Sequence, residues 1–229
     1  MTTISRGPTL SAQVYSYVRD RIVNGEYRPG EALVESEIAA ELHVSRTPVS
    51  NAIIMCKERG LLEDQGGKPS VPRLSLKDVT DLYRCRLALD ALACRMAAET
   101  ITERDLKRLE REVKHYEAPV PKSDRTALWV ADLSFHATIY QASGNRHLMR
   151  FAQITSELAS VYQRSTFRKL GSDANEGART HEDIRREHQR ILDALIQRDA
   201  DRAEQAAIEH IESVIRHLNR SEVFSPEGV

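Results

Sequence analysis

Residues 35–71 read ESEIAAELHVSRTPVSNAIIMCKERGLLEDQGGKPSV, a run that holds two short helical periodicities, a glycine stop and a glycine-tipped turn, in that order. Glu35 to Leu42 places Ile38, Ala39 and Leu42 on one face of a short helix. Leu42-His43-Val44 leads into Ser45, which can cap a following helix whose Pro48 falls in the first turn, where a missing N–H costs little. Val49, Ala52, Ile53 and Cys56 form the apolar face of that helix, and Gly60 ends it. Leu61-Leu62-Glu63 reads as a short strand, Gln65-Gly66-Gly67-Lys68 as a hairpin tip and Ser70-Val71 as the return. Upstream, Leu10, Val14, Tyr17, Val18 and Ile22 recur at helical spacing as far as Asn24, with Gly25 as a stop and Arg28-Pro29-Gly30 as a turn. Three helices and a hairpin make a winged helix-turn-helix.

Beyond Pro72 the pattern changes to long amphipathic helices without strand-like alternation. Six are expected, over Leu76 to Thr100, Glu103 to Tyr116, Ser123 to Ser143, Asn145 to Lys169, Thr180 to Arg198 and Asp201 to Arg220. Short breaks at Ala118-Pro119-Val120-Pro121 and Ser143-Gly144-Asn145 favour antiparallel neighbours, and Gly171 to Gly177 is a longer polar connection. The fold class is therefore mostly α: a winged helix-turn-helix over residues 1–73, an antiparallel all-α six-helix bundle over 74–222 and a mobile tail over 223–229.

Composition narrows the function classes. With 229 residues, 41% hydrophobic and 29% charged, the chain has the make-up of a soluble globular protein of two modest domains. No apolar run approaches the roughly 18 residues of a membrane span, and MTTISRGPTL lacks the apolar stretch of a secretory signal. A cytoplasmic protein without a membrane partner is expected. Cys56, Cys85 and Cys94 match no paired zinc-ligand spacing and read as reduced, small apolar residues. Net charge is −1, and residues 1–73 balance nine Lys/Arg against nine Asp/Glu, so DNA binding has to rest on where charges sit. Only 5% aromatic residues argues against single-strand binding by base stacking.

A recognition helix offers its N-terminal residues to base edges and phosphates while its other face packs inward. Ser45, Arg46, Thr47 and Ser50 occupy the free side; Arg46 can grip guanine or phosphate with two prongs, the hydroxyls can bind phosphate, and Lys68 at the hairpin tip can reach the backbone or minor groove. The run Pro29-Gly30, Leu33, Glu37-Ile38-Ala39, Leu42 and Val44-Ser45-Arg46-Thr47-Pro48-Val49, followed by Gly60-Leu61-Leu62, resembles the DNA-binding domain of GntR-family regulators. That resemblance implies a homodimer on double-stranded DNA, one head per half-site of a palindromic operator. Ser50-Asn51 stands where the family usually has Arg-Glu, and His43 where a Gly is common. The missing arginine removes one base or phosphate contact.

In the helical half, polar groups interrupt apolar stripes. Leu128, Asp132, Phe135, His136 and Ile139 share one face; Ile184, His188, Ile191 and Leu195 share another; Ala203, Ala207, His210, Ile211, Val214 and Leu218 a third. One inward histidine is ordinarily a hydrogen-bonded core residue. A carboxylate and three imidazoles entering one core from three helices cost about 2 kcal/mol or more per unpaired group, and a divalent cation offsets that cost. Imidazole nitrogen with one carboxylate oxygen suits Zn, Ni, Mn or Fe. Arg86 breaks the stripe of Val79, Leu82, Leu89, Ala93 and Met96, and needs either Asp90 or an acidic ligand as partner; a small organic acid held two-pronged beside the metal is the favoured reading.

Arg86 with Leu89-Asp90, Asp132 with Phe135-His136, Ser143-Gly144-Asn145, Glu187-His188 with Ile191-Leu192, and His210-Ile211 resemble the FCD ligand-binding domain of the FadR subfamily, in its six-helix, VanR-like branch. The resemblance implies Asp132, His136, His188 and His210 as metal ligands and a small carboxylate as effector, and Asp90 replaces the usual Glu. The expected function is a ligand-responsive transcription regulator, usually a repressor in this family, and not an enzyme. Two alternatives stand beside it: a metal-dependent hydrolase of a small organic acid, against which no extra inward carboxylate serves as an evident base, and a degenerate family member that no longer senses.

Overall fold

The computed structural model describes residues 8–116, 125–170 and 180–220. The expected breaks at 118–121 and 171–177 and the tail lie outside them. Among the described residues the order is α1 (Leu10–Val23), α2 (Glu35–Glu41), α3 (Arg46–Glu58), β1 (Glu63–Gln65), β2 (Lys68–Ser70), α4 (Leu76–Thr100), α5 (Glu103–Lys114), α6 (Arg125–Ala142), α7 (Arg146–Leu170), α8 (His181–Ile196) and α9 (Ala200–Arg220). The fold is mostly α, a winged helix-turn-helix followed by a six-helix domain. Two compact units divide the chain.

The first unit runs to Leu74 and also takes in Glu157–Lys169 of α7, a segment that helical periodicity alone groups with the bundle. Val161 joins Val18, Ile22, Val49, Ile53 and Cys56 in one core. Glu157 accepts a hydrogen bond from the Tyr15 hydroxyl at 3.4 Å and has Arg59 at 3.7 Å. Burial, and next the Glu157 charge, push the Tyr15 hydroxyl up to about 12. Thr9 caps α1 by accepting the Ala12 N–H at 3.2 Å. Between α2 and α3, His43 takes a left-handed φ of 53°, a conformation a non-glycine residue adopts at some cost. Ser45 stands at the N-cap of α3, but its hydroxyl makes no capping bond.

The hairpin is displaced from its expected position. Leu61 and Leu62 are buried in the core and precede the strand, which begins at Glu63. β1 and β2 pair antiparallel with Gln65 opposite Lys68, so Gly66 and Gly67 alone make the turn. Their φ values of 57° and 78° are the left-handed pair of a two-residue turn whose twist suits antiparallel strands. The segment after α1 adds a further rung, with the Leu33 N–H donating to the Pro69 carbonyl at 2.7 Å and the Gly30 N–H to that of Val71 at 2.7 Å.

The second unit is built on capped helices. Ser75 with Asp78, Thr102 with Asp105 and Thr180 with Asp183 form capping boxes that start α4, α5 and α8. α4 lies along α9, α8 packs on α9 and α5, and α6 packs on α4 and α5. Phe135, Ile139, Leu109, Ile191, Leu195 and Ala207 meet in its core. Cys56 and Cys94 are buried as expected of small apolar residues, whereas Cys85 is exposed. No helix of the described residues is long and apolar enough to cross a membrane.

Candidate metal centre and DNA-reading face

Three helices deliver the polar intruders to one place. Asp132 and His136 are one turn apart on α6, His188 comes from α8 and His210 from α9, and one ligand atom from each lies within 4.8 Å of all the others. Ligand-to-metal distances of about 2.0–2.2 Å separate ligand atoms by roughly 3.3–4.4 Å according to the coordination angle, so closure on an ion takes at most about 1.5 Å of side-chain movement. The Asp132 Oδ1 stands 3.5 Å from His188 Nε2 and 3.9 Å from His136 Nε2. His188 is fully buried, His136 and His210 nearly so, and the Asp132 side chain keeps 20% exposure. Phe135 stacks on the His188 ring with centroids 4.2 Å apart, which fixes the plane of that imidazole.

A second tier of carboxylates orients the rings. Glu187 Oε2 lies 2.9 Å from His210 Nδ1, and Asp90 Oδ2 lies 3.5 Å from His136 Nδ1. Holding Nδ1 selects the tautomer that leaves Nε2 as the donor, the arrangement metal-binding imidazoles use. Donor set, burial and second tier together fit a divalent transition ion. Asp90 is shared further: the Tyr140 hydroxyl donates to its Oδ1, and Arg86 Nη2 stands 3.3 Å from its Oδ2. Burial, and then the Asp90 charge, push the Tyr140 hydroxyl up.

Arg86 thus has the neighbour as a partner, although the sequence favoured an external acid. The i,i+4 spacing puts both groups on one buried face of α4. Burial opposes the Arg86 charge, but Asp90 first, and then Tyr83, Asp132 and Tyr140, hold its pKa above the ordinary value. The presence of Asp132 in that set ties Arg86 electrostatically to the candidate ligands. Only Nη2 is engaged by a carboxylate among the described residues. In sequence Glu187 stands only as the neighbour of His188 in the FCD-like motif, and its role was missed because it contacts a histidine 23 positions away.

On the first unit, Ser45, Arg46 and Thr47 are exposed at the start of α3, and Lys68 is exposed where the hairpin returns. Ser50 is half-buried and its hydroxyl donates to the Glu35 carboxylate of α2, so it is already engaged inside the head. Asn51 beside it is exposed.

Comparison with known proteins agrees with both halves. Residues 10–71 match the gntR family of bacterial regulatory proteins and residues 81–213 match the FCD domain. The HTH-type transcriptional regulator LutR of Bacillus subtilis (strain 168) is 31% identical over 212 residues, covering 84% of this chain and 94% of LutR. The HTH-type transcriptional repressor RspR of Escherichia coli (strain K12) is 26% identical, covering 99% of this chain and 98% of RspR. The crystal structure of a putative GntR transcriptional regulator from Rhodococcus sp. RHA1 shares the fold with a TM-score of 0.71 at 24% identity, over 91% of this chain and 97% of that one. A winged head with an exposed recognition helix, joined in sequence to an FCD domain, places this chain in the GntR family of DNA-binding transcription regulators and outside the enzymes.

Proposed function

We propose that the protein is a cytoplasmic homodimeric repressor that reads a palindromic operator through residues 1–73 and senses a metal-bound small carboxylate through residues 74–222. The observation that carries the sensing half is the convergence of Asp132, His136, His188 and His210 within 4.8 Å. These residues would hold the ion, which supplies a Lewis-acidic point for a carboxylate oxygen. Arg86 would take the other end of the acid with the part of its guanidinium that Asp90 leaves unengaged. On the DNA side Ser45, Arg46 and Thr47 would contact bases and phosphates, Ser50 would position Glu35 and the start of α3, and Lys68 would reach the backbone. The name of RspR, a repressor, supports that sign of control here. Coupling requires only that the acid bind the DNA-competent and incompetent states with different affinity.

Protein purified without chelator is expected to carry about one divalent ion per chain, and His188→Ala to carry none; elemental analysis with no metal in the parent protein removes the sensing proposal. Saturation at a hundred times Kd stabilises by about 2.7 kcal/mol, which for a unit of this size raises Tm by roughly 5–10 °C. A Tm unmoved by chelator contradicts occupancy. Glu187→Gln, which keeps the shape but loosens the hold on His210, should weaken metal affinity by about 10–100-fold. Competition against a chelating dye measures it, and unchanged affinity makes Glu187 a purely structural residue.

A thermal-shift screen of small carboxylates with and without added metal tests the effector class. Shifts that need the metal and vanish in Arg86→Ala, with metal content intact, are expected; shifts retained in that variant place the acid elsewhere. Arg46→Ala should abolish operator retardation in gels without altering the thermal transition, and unchanged retardation means that α3 is not the reading surface.

A further inference from the structure

The exposed face of α3 contains two uncharged residues besides those read from the sequence as DNA contacts, an amide and an isoleucine. At about 100° per residue, Arg46, Thr47, Ser50, Asn51 and Ile54 fall in an arc of about 140°, opposite the buried Val49, Ala52, Ile53 and Cys56. Ile54 lies near the middle of that arc and is 53% exposed. Asn51 is exposed beside it. Neither side chain carries charge, so neither gains from the phosphate backbone as an arginine or lysine does. The Ser50 hydroxyl, on the same face, is directed to Glu35.

We propose that Asn51 and Ile54 together read an A·T pair in the site contacted by each α3. This rests on α3 entering the major groove, as in the reading above. In that groove an amide side chain is the two-pronged partner of adenine N6 and N7, and the thymine methyl is the one base-edge group that rewards an apolar contact. Residues three apart on a helix have Cβ atoms about 5–6 Å apart, which lets Asn51 and Ile54 meet one pair or two adjacent ones. An exposed isoleucine in a face otherwise built for hydrogen bonding is then covered when DNA is bound. The same pairing gives this chain its own specificity at the place where Ser50-Asn51 departs from Arg-Glu: adenine is read there through an amide.

The test uses the full-length protein and a random-sequence duplex library. Selection should yield a site with an invariant A·T position, and Asn51→Ala should lose preference at that position alone while binding the selected site about 5- to 150-fold more weakly. Replacing the thymine of that pair by deoxyuridine, which removes only the methyl group, should weaken the parent protein several-fold and leave Ile54→Ala unaffected. A uniform loss across all sequences in Asn51→Ala, or indifference of the parent protein to the methyl group, overturns the proposal. If Arg46→Ala retains full binding, it is the reading of α3 as the DNA-entering helix that fails.

Discussion

Arg86, Asp90, His136, Glu187, His188 and His210 are all buried in the helical unit, and its fold depends on how these polar groups satisfy one another. A buried polar group left without its bond costs about 1–3 kcal/mol, so six of them put on the order of 10 kcal/mol at stake. That equals the whole net stability of an ordinary domain, about 5–15 kcal/mol. Asp90 does most to contain the cost, since one carboxylate serves Tyr140, Arg86 and the Nδ1 of His136. Glu187 does the same for His210. A hydrophobic core of equal volume is often as stable or more so, so six ionisable groups inside one unit are not explained by stability alone.

The two tiers divide the work between them. Asp90 and Glu187 hold the far nitrogens of their imidazoles and thereby aim the near ones at a common point. Asp132 is the one partly exposed member of the four candidate ligands. Arg86 couples to Asp132 through the same local field that keeps it charged. On the proposed reading a carboxylate would need no large rearrangement of α4, only re-sharing of a guanidinium that Asp90 engages through one nitrogen.

Much of this was legible in the sequence, for reasons that differ by element. The helices after Pro72 begin and end within two residues of expectation, α4 at Leu76 and Thr100 without any shift, and at the starts of α4, α5 and α8 a capping box coincides with the apolar periodicity. The four candidate ligands stood out because each interrupts an apolar stripe at i,i+4 or i,i+3 spacing. Glu187 and the shared role of Asp90 did not, since they act across helices through contacts that spacing along one helix does not encode. The hairpin was misplaced by two residues because Leu61 and Leu62 are apolar for the sake of the core and not of a strand. The second half of α7 is periodic like the rest of its helix, and periodicity does not say which core receives it. For Ser50, exposure was expected on angular grounds alone, and Glu35 on the preceding helix supplies the bond that drew it in.

The central claim is that three imidazoles and one carboxylate of this chain bind a single divalent ion, and X-ray absorption spectroscopy of the metal-loaded full-length protein tests it most directly. The account predicts a first shell of nitrogen and oxygen only, at about 2.0–2.2 Å, with the multiple-scattering signature of three imidazoles. A shell containing sulfur, or one of oxygens without imidazole, contradicts it.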